Sequence, residues 1–108
     1  MNDKRVVIGD RVLKRADGGP DVTVKLFLPV PDEPLGFRCY YQISGIGKDR
    51  ISFAGGADSI QAIQIALQKI GVDLYIGHKD IKLIFGNGDD PGFPLPVLPD
   101  DVPADDAP

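Results

Sequence analysis

Asp58-Ser59-Ile60-Gln61-Ala62-Ile63-Gln64-Ile65-Ala66-Leu67-Gln68-Lys69-Ile70-Gly71 is the stretch that decides the architecture. Ile60, Ile63, Leu67 and Ile70 recur at helical spacing, Ala66 widens their stripe, and Gln61, Gln64 and Gln68 take the other side. Asp58 with Gln61 three residues later has the form of a capping box, and Gly71 offers a left-handed stop. The spacing therefore predicts a helix over residues 59–70. A helix of about 12 residues is marginal alone in water, so its stripe must pack on something. Ile65 lies off that stripe and calls for a second cover, from Leu74 or Phe93.

The segments before the helix supply the packing surface. Residues 22–28 alternate as a half-buried strand does, with Val22, Val24, Leu26 and Leu28 on one side. Pro29, Pro31 and Pro34 then forbid ladder bonding until about Gly36. Phe37 to Ser44 forms the next strand, with Phe37, Cys39, Tyr41 and Ile43 on its apolar side. Gly45-Ile46-Gly47-Lys48-Asp49 is a turn, and Arg50 to Ala54 follows with Ile51 and Phe53 directed inward. Ahead of these, Val6 to Ala16 reads as a first strand whose alternation slips, as a bulge at Gly9 would make it slip. After the helix, Ile81 to Phe85 is a last strand with Ile81, Leu83 and Phe85 inward. The order β-β-β-β-α-β specifies an α+β domain, an antiparallel meander of four to five strands covered on one face by one helix.

Length and charge bound the rest. The 108 residues hold 12 Lys+Arg against 16 Asp+Glu, a formal charge of -4. Residues 89–108 carry six Asp, no Lys or Arg and six of the ten prolines, which leaves +2 on residues 1–88. A segment of that composition cannot bury enough surface to offset its ordering entropy. The expectation is one domain over residues 4–95 and a disordered Asp/Pro-rich tail over 96–108, with Phe93 and Leu95 docked on the body. Val6-Val7-Ile8 is too short for a signal peptide or a membrane span, and a single cysteine makes no internal disulfide. A cytoplasmic protein is expected on those grounds.

The run Asp58-Ser59-Ile60-Gln61-Ala62-Ile63-Gln64-Ile65-Ala66-Leu67-Gln68, followed by Ile70-Gly71 and later by Gly92-Phe93-Pro94, resembles a family of small bacterial proteins of unknown function. The resemblance covers the body from the first strand to Pro94. It implies a bacterial, single-domain, stand-alone protein and brings no activity with it.

Few residues offer chemistry. Cys39 and His78 are the only cysteine and histidine, and with Asp80 they could be drawn as a nucleophilic dyad and its orienter. Cys39, however, shares its strand face with Phe37, Tyr41 and Ile43, where a thiol behaves as a small buried hydrophobe. One His and one Cys cannot build a four-ligand zinc cage, and Asn87-Gly88-Asp89-Asp90 lacks the closing Glu of a calcium loop. Gly45-Ile46-Gly47-Lys48 has neither the spacing nor the following helix of a phosphate loop. Gly55-Gly56 precedes a helix N-terminus, but Asp58 caps that terminus with a charge that repels anions. No catalytic residue, metal site or cofactor is expected.

The residues of opposite strand parity are more suggestive. They comprise Arg11, Leu13 and Arg15; Thr23, Lys25 and Phe27; Arg38, Tyr40 and Gln42; Arg50 and Ser52; and Lys82 and Ile84. Six are basic and none is acidic. A charged outer face is also what an antiparallel sheet with one wet side ordinarily shows. The functional expectation is a non-catalytic binding module that uses this face: Lys25, Phe27, Arg38, Tyr40 and Arg50, with Arg11 and Arg15 joining if the first strand keeps its register. Its partner is an acidic protein surface, a second copy of the chain or the chain's own acidic tail. Single-stranded nucleic acid is the weaker alternative, because the whole-chain pI is about 4.7. A ligand carrier or small enzyme with a pocket between Asp58-Ser59 and the Phe93 segment is the other. No membrane partner is expected.

Overall fold

Small side chains on one helix face, set against small side chains on one strand, organise the molecule. The computed structural model describes residues 5–34, 36–88 and 90–94. Within them the chain forms β1 (Val7–Arg15), β2 (Val22–Phe27), β3 (Val30–Asp32), β4 (Gly36–Ser44), β5 (Arg50–Gly56), α1 (Ser59–Val72), a π-helical turn (Asp73–Gly77) and β6 (Leu83–Ile84). The expected tail over 96–108 and the expected domain ends at 4 and 95 lie outside the described residues.

All strand pairs are antiparallel. The sheet runs β6-β1-β2-β4-β5, with β3 beside the first half of β4 in line with β2. This is the expected α+β meander with one helix, with one more strand than the β-β-β-β-α-β order. The proline-rich link was expected to be unpaired, yet Val30, Pro31 and Asp32 face Arg38, Phe37 and Gly36. Proline is tolerated there because β3 pairs on one side only, so the missing N–H faces no partner strand.

The helix begins as the sequence specifies. Asp58 Oδ1 accepts from Gln61 N at 2.8 Å, and Gln61 Oε1 accepts from Ala57 N at 2.6 Å. Its buried line is Ala62, Ala66, Ile70 and Gly71, with Ile63, Ile65 and Leu67 on the flanks. Ile60, expected in the stripe, is 66% exposed. The rotation follows from β5, where Ala54 and Gly56 lie beneath the helix. A Cβ on Gly56 would stand 2.3 Å from Ala62 N, so the helix sits close only because both surfaces are small there. The helix also runs past Gly71, whose φ is not positive. Glycine is required there for another reason: a Cβ would meet the Pro94 carbonyl oxygen at 2.2 Å.

Two register findings correct the expected sheet faces. In β5, Phe53 pairs with Tyr40 and Ile51 with Gln42, while Ser52 pairs with Tyr41 and Arg50 with Ile43. Directly paired residues share a face. Ile51 and Phe53 therefore lie on the helix-free side, and Arg50 and Ser52 on the helix side. In β1 the pairing slips between Val7 and Gly9, as the sequence hinted. Past that slip Arg11 pairs with Val24 and Leu13 with Val22, so both lie on the helix side, and Arg15 follows beside Leu83. Leu13 is fully buried in the main core. One bulge exchanges the faces of every residue after it.

The displaced arginines hold structure together. Arg11 Nη1 donates to the Pro91 and Gly92 carbonyls, each at 3.0 Å. Its guanidinium stacks 4.1 Å from the Phe85 ring centre and 4.9 Å from that of Phe93. Arg15 clasps Asp17 at 2.7 and 3.0 Å and donates to Gly45 O at 3.3 Å. The Arg15 guanidinium, helped by the Gly19 amide, holds the Asp17 carboxyl down at about 2. Phe93 packs against the core as expected, and the Tyr75 hydroxyl accepts from its amide at 3.1 Å. Among the described residues no helix is long and apolar enough to cross a membrane.

Candidate functional site

The helix-free face is defined by the residues paired across it: Lys25 with Asp10 and Gln42, Thr23 with Val12, Phe27 with Val7, Arg38 with Val30, and Tyr40 with Phe53. Of the seven residues expected on one binding face, Lys25, Phe27, Arg38 and Tyr40 share it. Arg11, Arg15 and Arg50 lie on the opposite side. The face also carries Asp10 and Asp32, so it is not the acid-free basic surface the alternation suggested.

Its centre is aromatic. The Tyr40 and Phe53 rings lie 5.6 Å apart at 57°. Arg38 stacks 4.0 Å from the Phe53 ring centre, and Arg5 stacks 4.2 Å from that of Tyr40. Arg38 also donates to Asp32 at 3.1 Å and to the Tyr40 hydroxyl at 3.4 Å. Those contacts, the Tyr40 hydroxyl first, hold its guanidinium more firmly protonated, and Arg38 in turn lowers the Tyr40 phenol. Lys14 pairs with Asp21 at 3.1 Å. Much of the positive charge is thus engaged within the molecule.

What is left over is apolar. Phe53 is 42% exposed, Ile51 44%, Val30 41%, Val7 45% and Val12 49%, all on this face. Phe27 is buried yet stands apart from the main core cluster, as its position on the far side of the sheet requires. Ile51 and Phe53 lie at the surface against their alternation pattern, which by itself directs apolar residues of a strand inward. The signal that could have found them is the run Ala54-Gly55-Gly56 opposite Ala62 and Ala66, which marks the close approach of the helix.

The catalytic reading gains nothing from the geometry. Cys39 is fully buried, and its thiol lies 3.4 Å from the Phe27 carbonyl and 3.8 Å from that of Tyr40, with no His78 contact. Burial raises the thiol above its usual range, away from the reactive thiolate. Alkylation of the native protein near neutral pH is expected to be at least about a hundredfold slower than in urea, followed by mass spectrometry. Equal rates would return Cys39 to consideration. Among the described residues no three His, Cys, Asp or Glu side chains gather as a metal site.

The pocket expected between Asp58-Ser59 and Phe93 also differs in place. The cavity beside Phe93, about 150 Å³, is bounded by Gly9, Arg11, Leu26, Leu67 and Ile70 and reaches neither Asp58 nor Ser59. A larger concavity of about 320 Å³ opens at the other end of the helix, beside Tyr41 and Arg50.

Comparison with known proteins adds one finding. A protein-family model matches residues 9–96, from the slip in β1 to just past the docked Phe93. No curated protein and no solved structure matches the chain.

Proposed function

The chain belongs to the family that this model defines, a domain of unknown function (DUF6968), and with no activity to inherit from it we propose that it is a protein-interaction module whose helix-free sheet face docks a second copy of the same chain. The observation that carries this reading is the set of exposed apolar side chains Val7, Val30, Ile51 and Phe53 around the Tyr40–Phe53 pair on one face, with Val12 beyond the polar row Asp10, Lys25 and Gln42. Contiguous apolar surface rimmed by polar groups marks interaction sites on small proteins.

The choice of partner rests on charge. Asp10 lies beside Lys25, and Asp32 beside Arg38. A surface bearing both signs around an apolar centre is self-complementary under a two-fold axis, where each residue meets its symmetry partner's neighbour. An acidic partner would need a face of one sign. The move of Arg11, Arg15 and Arg50 to the other side removes half the cations on which the acidic-partner and nucleic-acid readings drew.

Sedimentation at low and high salt, with the wild type and with Ile51→Asp/Phe53→Asp, tests the proposal. The wild type is expected to associate in the micromolar range at both salt concentrations, since an apolar contact is not screened. The double variant is expected to weaken association at least about a hundredfold while keeping a cooperative unfolding transition, lowered by the loss of the Phe53 contacts with Tyr40 and Arg38. A wild-type monomer throughout that range overturns self-docking. Association that vanishes with salt and survives in the variant overturns the assignment to this face.

A further inference from the structure

The helix side of the sheet carries a second site, independent of the docking face. Near the start of β5, Arg50 and Ser52 reach the helix side, where the π-helical turn Asp73–Gly77 overhangs them. Tyr41, Ser52 and Ile43 form the floor of a cavity of about 320 Å³ between Gly47-Lys48 on one rim and Asp73 and His78 on the other. The two rims touch: a Cβ on Gly47, whose φ is +63°, would stand 3.2 Å from His78 Cε1. A shallower concavity of about 290 Å³ shares Tyr41, Arg50 and Asp73 and extends to Lys69 and Gln68. Single π-helical turns are frequent at functional sites.

Among the described residues, the charges around this hollow form no salt bridge: the pairs are Lys14–Asp21, Arg15–Asp17 and Arg38–Asp32, so Lys48, Arg50, Lys69 and Asp73 take part in none. Lys69 donates to the Phe53 carbonyl at 2.9 Å. The nearby Asp49 carboxylate is turned to the Gly45 amide, at 3.1 Å. The Asp73 carboxylate folds toward Gly77, whose Cβ, if present, would lie 3.1 Å from Oδ1. Burial raises the Tyr41 phenol, which keeps its hydroxyl protonated beside Ser52, and both Asp73 and Arg50 act on it. Hydroxyls between them, Lys48 and Arg50 on the strand side, and Asp73 with Lys69 on the helical side form a receptor in which the cations outnumber the anion.

We propose that this cleft binds a small zwitterion with an excess of negative charge, of the class of an acidic amino acid. Arg50, with Lys48 at the rim, takes a carboxylate in a charge-assisted contact, and Asp73 takes the ammonium. A simple anion would leave Asp73 facing like charge, and a simple cation would meet Arg50. The Tyr41 and Ser52 hydroxyls supply neutral hydrogen bonds between the two ends.

NMR titration of the full chain with L-glutamate and with glutarate, which lacks the ammonium, tests the assignment. L-Glutamate is expected to give saturable shifts at the amides of Tyr41, Arg50, Ser52, Asp73 and His78, and to bind about tenfold more tightly than glutarate. Asp73→Asn is expected to bring L-glutamate down to the glutarate level, and Arg50→Met to remove saturable binding of both. Both side chains stand at the surface, and an otherwise unchanged amide spectrum shows that each variant is folded. No saturable shift with L-glutamate overturns the proposal. So does equal affinity for the two probes, or an Asp73→Asn variant that binds L-glutamate as the wild type does.

Discussion

Replacing Ile70 with alanine is expected to cost about 2–5 kcal/mol of folding stability, and replacing Leu67 less than half as much. Both residues belong to the apolar repeat of α1, and spacing alone makes them equivalent. The tertiary structure separates them. Ile70 is fully buried in line with Ala62 and Ala66, whereas Leu67 lies on the flank and is half-buried. Truncation at Ile70 opens a cavity in the closed helix–sheet layer, where its neighbours Val24 and Leu26 are held in the β2 ladder and cannot move in. At Leu67 the 92–94 segment and solvent can relax into the space. Urea unfolding of the two variants, at unchanged slope, decides the matter. Equal costs would contradict the rotated stripe.

Gly71→Ala is the second large effect, with the opposite sign to propensity. In a helix interior alanine is favoured over glycine by about 1 kcal/mol. At this position the added Cβ would meet the Pro94 carbonyl oxygen at 2.2 Å and lie 3.6 Å from the Phe93 Cβ. Relief requires the segment to lift, which removes the Phe93 ring from the core and breaks its hydrogen bonds with the Tyr75 hydroxyl. Exposing an aromatic ring costs about 1.5–3 kcal/mol, so the net result is a loss of about 0.5–2 kcal/mol. Arg11→Met releases the same segment by removing the donors to Pro91 O and Gly92 O. The two substitutions are therefore expected to be less than additive in a double-mutant cycle, since the segment can be undocked only once. Full additivity would mean that Arg11 and Gly71 hold different things. Hydrogen exchange at the Phe93 amide gives the local readout, with protection lost in either variant.

Much of the architecture was legible in the chain. The capping residues Asp58 and Gln61, the strands expected over 22–28 and 37–44 and found over 22–27 and 36–44, their inner sets Val22-Val24-Leu26 and Cys39-Tyr41-Ile43, and the docking of Phe93 follow from local pattern. Leu28, expected in the inner set, lies past the end of β2 and is exposed. The candidate face was half legible. Lys25, Phe27, Arg38 and Tyr40 sit on long strands with unbroken alternation, and alternation assigns them correctly. Arg11 and Arg15 lie beyond a bulge whose presence could be suspected but whose effect on parity could not be read. Arg50 lies on a strand where alternation is clear and the choice of face is not.

Within an unbroken strand the sequence by itself determined which residues share a face; only the tertiary structure decided how the strands' faces combine and which side the helix covers. Period-two alternation is symmetric with respect to the two sides of a sheet, and the usual tie-breaker, that the more apolar side goes inward, fails on β5. There the inward side is the one small enough to admit a helix: Ala54 and Gly56 against Ala62 and Ala66. Ile51 and Phe53 are too large for that contact and are turned out, onto the side proposed to meet a second molecule. The same constraint turns Arg50 and Ser52 toward Asp73 and Tyr41, and so builds a cleft from residues that lie far apart in the chain.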